Sequence, residues 1–369
     1  MKQFFVMGDR QMKDIGRELV SDPEFGGFIT ESSDYLDCER CPLSALSSKF
    51  IDFARFLRHS QKHGATLVLF YNEIGGSRFF FKHLKEIQSK YNFELIDFIS
   101  FCIKNNYQIS YQGAADRRNM ILEKKRDWIS LADKMSDEFS KNSVLNYIEA
   151  METLNFEVMK PYVVPFLMEA FNKFSNRFSF VPKDDEIYID VGAFDGDTVV
   201  KFIEATPTGG YRAIHAFEPN PRSFTRLEQK RAWIPNLSLH RYAASNFNGN
   251  LTFYNDDGGM GARIVDGSQA GNKFVLEVKA IQIDELIDDA TLMKFDVEGF
   301  ETEALQGATN LIKKSKPSLV VDTYHYANDA LKIYDQVMST HDYKYVGMRF
   351  AHAHLHTHSL YFSDDKSLI

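Results

Sequence analysis

Residues 186–198 read EIYIDVGAFDGDT, and the order of residue types in that stretch decides what kind of chain this is. Ile187, Tyr188 and Ile189 make a short apolar run that ends on Asp190, and Gly192 and Gly196 follow at once. Asp197 and Thr198 then precede Val199, Val200, Phe202 and Ile203, which are spaced as on a helix. The reading is a buried strand, a glycine turn and a capped helix. Glycines let backbone approach a ligand closely, and the helix start behind them presents unpaired N–H groups. Asp190 falls at the carboxyl end of the strand, where open α/β sheets put their ligands. A nucleotide-type cofactor site is predicted here.

The following segments repeat the pattern. Ala213–Phe217 (AIHAF) reads as a second strand ending on Glu218, where one carboxylate can accept from both vicinal hydroxyls of a ribose. The plainer alternative is a cap for a helix starting near Arg222. Leu237–Ala243 reads as a third strand, which would set Ser245 beside an adenine. Leu292–Phe295 (LMKF) is a fourth strand, followed by Asp296, Glu298 and Glu301. Three carboxylates at a strand end are costly unless they serve something. They could hold substrate hydroxyls, bind a divalent cation or act as a base. Alternatively, Glu301 caps its own helix and Glu298 is solvated.

Leu319–Val321 is a fifth strand that runs into Asp322, Thr323, Tyr324 and His325. With an unperturbed pKa near neutrality, His325 is a candidate general base, and Tyr324 a candidate substrate contact. The glycine-rich stretch over 255–271 reads as a lid bearing Met260, Gly261 and Arg263, or as a plain connecting loop. His352, His354, His356 and His358 alternate strictly, so a strand would put all four on one face. A metal site is one reading. Solvated histidines at a hairpin tip are preferred, since no acidic or cysteine ligand is interleaved.

The first half alternates strands at Phe4–Met7, Phe28–Ile29, Leu67–Tyr71 and Phe93–Ile99 with helical patterns, predicting βαβ units and a parallel sheet. Gly8 and Gly16 are too far apart for the dinucleotide fingerprint, so this half reads as a degenerate scaffold for recognition or oligomerisation. Ala114 to about Asn155 is predicted helical with a break near Asn142, and another helix through Leu167, Phe171 and Phe174 should lead to Pro182. The expected division is an α/β domain over 1–110, a helical connector over 111–183 and a catalytic domain over 184–369.

A chain of 369 residues with a formal net charge of −8 is long for one core and unsuited to wrapping nucleic acid. Cys38, Cys41 and Cys102 make no disulfide framework, and the CxxC at Cys38 and Cys41 lacks a second pair to complete a zinc site. No apolar run approaches membrane-spanning length. A cytoplasmic protein is expected.

Three segments together resemble the FkbM family of S-adenosylmethionine-dependent methyltransferases: DVGAFDGDT (190–198), AFEPNP (216–221) and KFDVEGFETEALQGA (294–308). SLYF at 359–362 matches less specifically. The resemblance covers 184–362 and implies a Rossmann-like fold whose mostly parallel, seven-stranded sheet ends in an antiparallel strand. It also implies O-methylation of a hydroxyl, often on a sugar or polyketide. Asp190, Gly192 and Gly196, with Ala193, Phe194 and Thr198 of the same turn, would hold the methionine end of the donor, and Glu218 its ribose. Asp296 and Glu298 would line the acceptor side, with His325 or Asp296 taking the proton, aided in one reading by a divalent ion on Asp296, Glu298 and His325. A sugar or glycan acceptor and a homo-oligomer are the expected partners. The competing reading is a donor-binding sensing or assembly subunit without catalysis.

Overall fold

The computed structural model describes residues 3–7, 19, 22–29, 50–69, 78–105, 114–164, 170–171, 180–254, 263–264, 275–351 and 358–365. Cys38, Cys41, Met260, Gly261, His352, His354 and His356 lie outside them.

The first half is a five-stranded parallel sheet of β1 (Gln3–Met7), β2 (Phe25–Ile29), β3 (Phe50–Ile51), β4 (Ala65–Leu69) and β5 (Phe93–Asp97), in the order β3-β2-β1-β4-β5. Helices α1 (Phe53–His63), α2 (Arg78–Tyr91) and α3 (Phe98–Lys104) alternate with the strands. Phenylalanines dominate the core clusters of this sheet, with Phe4, Phe25 and Phe28 in one and Phe5, Phe56 and Phe93 in another. The expected strand over Phe93–Ile99 stops at Asp97. Its carboxylate accepts from the Ser100 amide at 2.8 Å and starts α3 instead.

Three helices follow: α4 (Ala114–Glu123), α5 (Lys125–Asp133) and α6 (Glu138–Thr153). The main break falls at Lys134–Asp137, not near Asn142, because the Asp137 carboxylate caps α6 by accepting from Ser140 N at 2.8 Å. Ala170 and Phe171 are not helical as expected; Phe171 forms a parallel bridge with Phe180.

The second half is built on β6 (Ile187–Val191), β7 (Ala213–Phe217), β8 (Leu237–His240), β13 (Leu292–Phe295), β14 (Ser318–Asp322), β15 (Tyr345–Phe350) and β16 (His358–Ser363). They make a seven-stranded sheet in the order β15-β16-β14-β13-β6-β7-β8, with β16 antiparallel to both neighbours. Helices α7 (Asp197–Ala205), α8 (Pro221–Arg231), α9 (Glu301–Gln306), α10 (Thr309–Ser315) and α11 (Asp329–Thr340) connect it.

The expected third strand over Leu237–Ala243 is split. After His240 the chain leaves this sheet, and β9 (Ala243–Ala244) pairs with β12 (Val275–Ile281). Together with β10 (Gly249–Tyr254) and β11 (Arg263–Ile264), these form a second, four-stranded sheet.

Helices α5 and α6 do not stand apart from this half. Trp128, Leu131, Tyr147 and Met151 share one buried cluster with Ile189, Phe295, Val321 and Phe350 of the seven-stranded sheet. Ser136 N donates to Val346 O at 2.8 Å and Val164 N to Phe350 O at 2.8 Å, tying the chain on both sides of α6 to β15. Among the described residues, no helix is long and apolar enough to cross a membrane.

Candidate active site

The carboxyl ends of β6, β7, β13 and β14 lie side by side in the sheet and carry Asp190, Glu218, Asp296 and Asp322 at or just beyond the strand ends. Parallel register pairs Asp190 with Lys294 on β13, so the two side chains emerge on the same face. Lys294 Nζ lies 3.8 Å from Asp190 Oδ1 and 3.3 Å from Asp296 Oδ2. This lysine sits in the apolar run LMKF with only 6 % of its surface exposed. It is a site residue that looks, in sequence, like part of a strand and nothing more. Its signal was a cation inside a buried strand, which demands a partner charge.

Asp190 is fully buried; among the described residues neither carboxylate oxygen accepts a hydrogen bond of good geometry, and the Tyr188 hydroxyl is its nearest polar neighbour on its own strand. Burial pushes the Asp190 pKa up to about 7, against the opposing pull of Lys294. Asp296 shares the same lysine. Burial opposes its ionisation, yet Lys294 and His325 together hold its carboxyl below the usual range.

The glycine turn is tight for reasons internal to the protein. Gly192 has φ +88°, and a Cβ there would stand 1.7 Å from the Asp296 carbonyl oxygen. Glycine is thus required where the tips of β6 and β13 touch. Phe194 and Gly196 also have positive φ, so the backbone reverses within a few residues. The N-cap of α7 is Gly196, with no side-chain cap, which corrects the expected capping; Asp197 lies in the first helical turn instead. Ala193 and Thr198 are buried beside the turn.

Glu218 faces this turn. Its Oε2 accepts from Phe194 N at 2.9 Å and its Oε1 from Asn220 N at 2.7 Å, while Asn220 itself caps α8. Those two bonds leave lone pairs on both oxygens for a ligand's hydroxyls. Burial raises its pKa to about 7 against these two N–H bonds. Ser245 lies elsewhere. It is buried just beyond β9, with its carbonyl packed against Gly307 at the end of α9. Arg263 sits on β11 opposite Tyr254.

The loop after β13 and the loop after β14 meet at His325. Its Nε2 lies 3.4 Å from Glu298 Oε2 and 3.8 Å from Asp296 Oδ1, and its Nδ1 3.1 Å from Glu301 Oε1. The His325 side chain is 9 % exposed. Glu301 does not cap its own helix. Its Oε1 reaches back to Val297 N at 2.9 Å and Gly299 N at 3.3 Å, fixing the preceding loop. Glu298 is held at φ +57°, an uncommon backbone state for a glutamate, and remains the most open of the group. The Tyr324 ring lies 4.2 Å from the imidazole of His325, tilted by 33°.

Burial works against charge on His325, but Glu301, Glu298 and Asp296 hold its pKa well above the ordinary value. The near-neutral base expected from sequence is therefore an imidazolium in this arrangement. Ligand atoms of Asp296, Glu298 and His325 all lie within 4.8 Å of one another, a separation compatible with one metal ion.

His358 corrects the expectation of solvated histidines. It is 1 % exposed, its Nδ1 lies 2.7 Å from Thr323 Oγ1, and Trp128, Tyr147 and Phe350 surround its ring.

Residues 190–345 match the methyltransferase FkbM domain. The 2-O-methyltransferase NoeI of Sinorhizobium fredii is 24% identical over 157 residues, which are 37% of this chain and 63% of that protein. The hexuronic acid methyltransferase AglP of Haloferax volcanii is 29% identical over 140 residues, 36% of this chain and 53% of that protein. The chain thus spans 63% and 53% of the length of these two curated relatives. A crystal structure of a methyltransferase FkbM from Methylobacillus flagellatus aligns with a TM-score of 0.72 at 20% identity, covering 98% of this chain and 90% of that one. At that identity the likeness speaks for the fold alone.

Proposed function

The chain carries a methyltransferase FkbM domain, and from that premise we propose that it is an S-adenosylmethionine-dependent O-methyltransferase acting on a hydroxyl of a sugar or glycan. The observation that carries the reading is the pairing of Asp190 and Glu218 at adjacent parallel strand ends. One carboxylate accepts no hydrogen bond of good geometry among the described residues, and the other is pinned to the Phe194 amide with acceptor capacity to spare. An unsatisfied buried carboxylate suits a cationic ligand, and a fixed carboxylate suits a vicinal diol. The strand order supports a Rossmann-like sheet within 184–369, preceded by an α/β unit over 1–110 and by helices within 111–183 that pack onto that sheet.

Asp190, Ala193, Phe194, Thr198 and Glu218 would hold the donor, with Gly192 and Gly196 shaping the turn. The donor supplies a methyl group already activated by its sulfonium. The protein aligns the acceptor oxygen and removes its proton. Asp296, kept ionised by Lys294, is the base; His325, Glu298 and Tyr324 face the acceptor. One relative is named a hexuronic acid methyltransferase, which favours a carbohydrate acceptor, and the other a 2-O-methyltransferase, which favours an oxygen as the methylated atom. A divalent cation held by Asp296, Glu298 and His325 would need His325 without its imidazolium proton and would supply positive charge for an acceptor's hydroxyls.

The test is methyl transfer to a panel of glycans by Asp296→Asn and His325→Ala variants that still bind S-adenosylhomocysteine. Loss of roughly 100-fold or more in turnover is expected for both. Undiminished turnover sinks the assignment, and donor binding with no transfer by the native protein favours a binding subunit. Chelation followed by Mn²⁺ or Mg²⁺ titration decides the cation.

A further inference from the structure

The helices that precede the matched domain reach into its candidate site. Arg117 on α4 is 7 % exposed, and its guanidinium donates to two consecutive backbone carbonyls, Tyr324 O at 2.6 Å and His325 O at 2.9 Å. Among the described residues no carboxylate stands within ion-pair distance of it. A charge has therefore been taken out of water and committed to two neutral oxygens, which is costly unless the geometry obtained matters.

The same loop is gripped again at its far end. Trp128 Nε1 on α5 donates to Asn328 Oδ1 at 3.0 Å, and Asn328 Nδ2 donates to Met120 O at 3.3 Å. The loop between β14 and α11 is thus fastened at 324–325 and at 328 to helices distant in sequence. His325 sits where this fastening meets the carboxylates. Its backbone is fixed by Arg117 and its imidazole is set by Glu301 at 3.1 Å.

We propose that Arg117 is a positioning residue of the site: its two-pronged grip on Tyr324 and His325 sets where the imidazole stands relative to Asp296 and Glu298. The proposal rests on the reading of that cluster as the acceptor side. Only a guanidinium offers two parallel donors at fixed spacing, so a lysine at this position cannot reproduce the grip.

The test uses Arg117→Met and Arg117→Lys in the full chain, checked for cooperative melting. Three results are expected together. Amide exchange in a peptide covering 322–328 accelerates, the Kd for S-adenosylhomocysteine stays within about twofold, and kcat falls by about 10–100-fold with little change in donor KM, the range typical of groups that orient catalytic ligands. In Arg117→Ala, added guanidinium should restore part of the lost kcat. If Arg117→Met does not fold, Trp128→Phe removes only the second fastening and should give the same pattern, smaller. Wild-type exchange at 322–328, wild-type kcat despite faster exchange, or an equal loss of donor affinity each overturns the proposal. Should the native protein methylate no acceptor, the function reading fails separately. Amide exchange and Mn²⁺ affinity, expected to weaken by about 10-fold in Arg117→Met, still decide whether Arg117 positions His325.

Discussion

The chain contains two parallel α/β sheets that differ in what stands at their strand ends. In the first, β1, β2 and β4 end on Met7, Ile29 and Leu69, all buried and apolar. The two acids there, Asp52 just beyond β3 and Asp97 ending β5, each cap the helix that follows. In the second, the corresponding ends present Asp190, Glu218, Asp296 and Asp322, with Lys294 between two of them. Both sheets bury their faces with helices, and both needed the same hydrophobic patterning to fold. Layer architecture is therefore shared, while buried charge at the strand ends is confined to one copy. Function is argued from that difference and not from the fold.

The largest test of the contrast is Gly192→Ala. The added Cβ would stand 1.7 Å from a backbone oxygen at φ +88°, and neither strand tip can retreat without breaking the sheet. A loss of more than about 3 kcal/mol in unfolding free energy is expected, with donor binding abolished in any folded fraction. In the first sheet, Gly64 also has positive φ (+70°), but its Cβ would find its nearest neighbour at 3.5 Å. Gly64→Ala should cost about 1 kcal/mol and leave the S-adenosylhomocysteine Kd unchanged. Equal losses from both substitutions would break the comparison.

Lys294→Met comes next. It leaves Asp190 buried without its cation and Asp296 with His325 alone, and about 3–5 kcal/mol of stability should go with it. Lys85 on α2, paired at 3.5 Å with Glu157 across an exposed surface, offers the counterpart. Lys85→Met should change stability by no more than about 0.5 kcal/mol in denaturant titrations. A mild Lys294→Met would mean that the two aspartates are neutral in the fold.

Asp190, Gly192 and Glu218 were legible in the sequence because each is defined by its immediate neighbours: an apolar run, then an acid, then a glycine. What stayed hidden depends on which strands lie side by side. Lys294 becomes a counter-ion only when β13 pairs with β6 in a register that aligns it with Asp190. Glu301 could be seen at a helix start, but not its turn back toward Val297 and His325. The switch of sheets after His240 has no glycine or proline to announce it; Arg241 and Tyr242 simply carry the chain from β8 to β9. The spacing of Trp128 and Tyr147 marked a helical core face without saying which sheet it covers. Arg117 carried no local signal at all, since its partners are backbone carbonyls more than 200 positions away.

The smallest expected effect distinguishes the buried histidine of the second sheet from the partly exposed pair on α1. Burial, with Arg117 and His325 adding repulsion, lowers the His358 pKa to about 3, so the fold holds it neutral. An open chain binds that proton at about pH 6.5. Its contribution is therefore fully present above pH 6.5 and is lost as pH falls from there toward 3, at up to about 1.4 kcal/mol per pH unit. Asp190 and Glu218 act in the opposite sense. Their raised values near 7 remove stability as pH rises from about 4, so the native slope is a partial cancellation. The difference between native protein and His358→Gln isolates the histidine: the variant is less stable throughout, yet loses less on acidification between pH 6 and 4. His59, also lowered by burial and by its neighbour His63, keeps more contact with solvent, and His59→Gln should alter the slope less. Parallel slopes for native and His358→Gln would show that the histidine charges inside the fold. The aromatic box of Trp128, Tyr147 and Phe350 would then have to open in acid, exposing a core that the first sheet, with its apolar strand ends, has no reason to open.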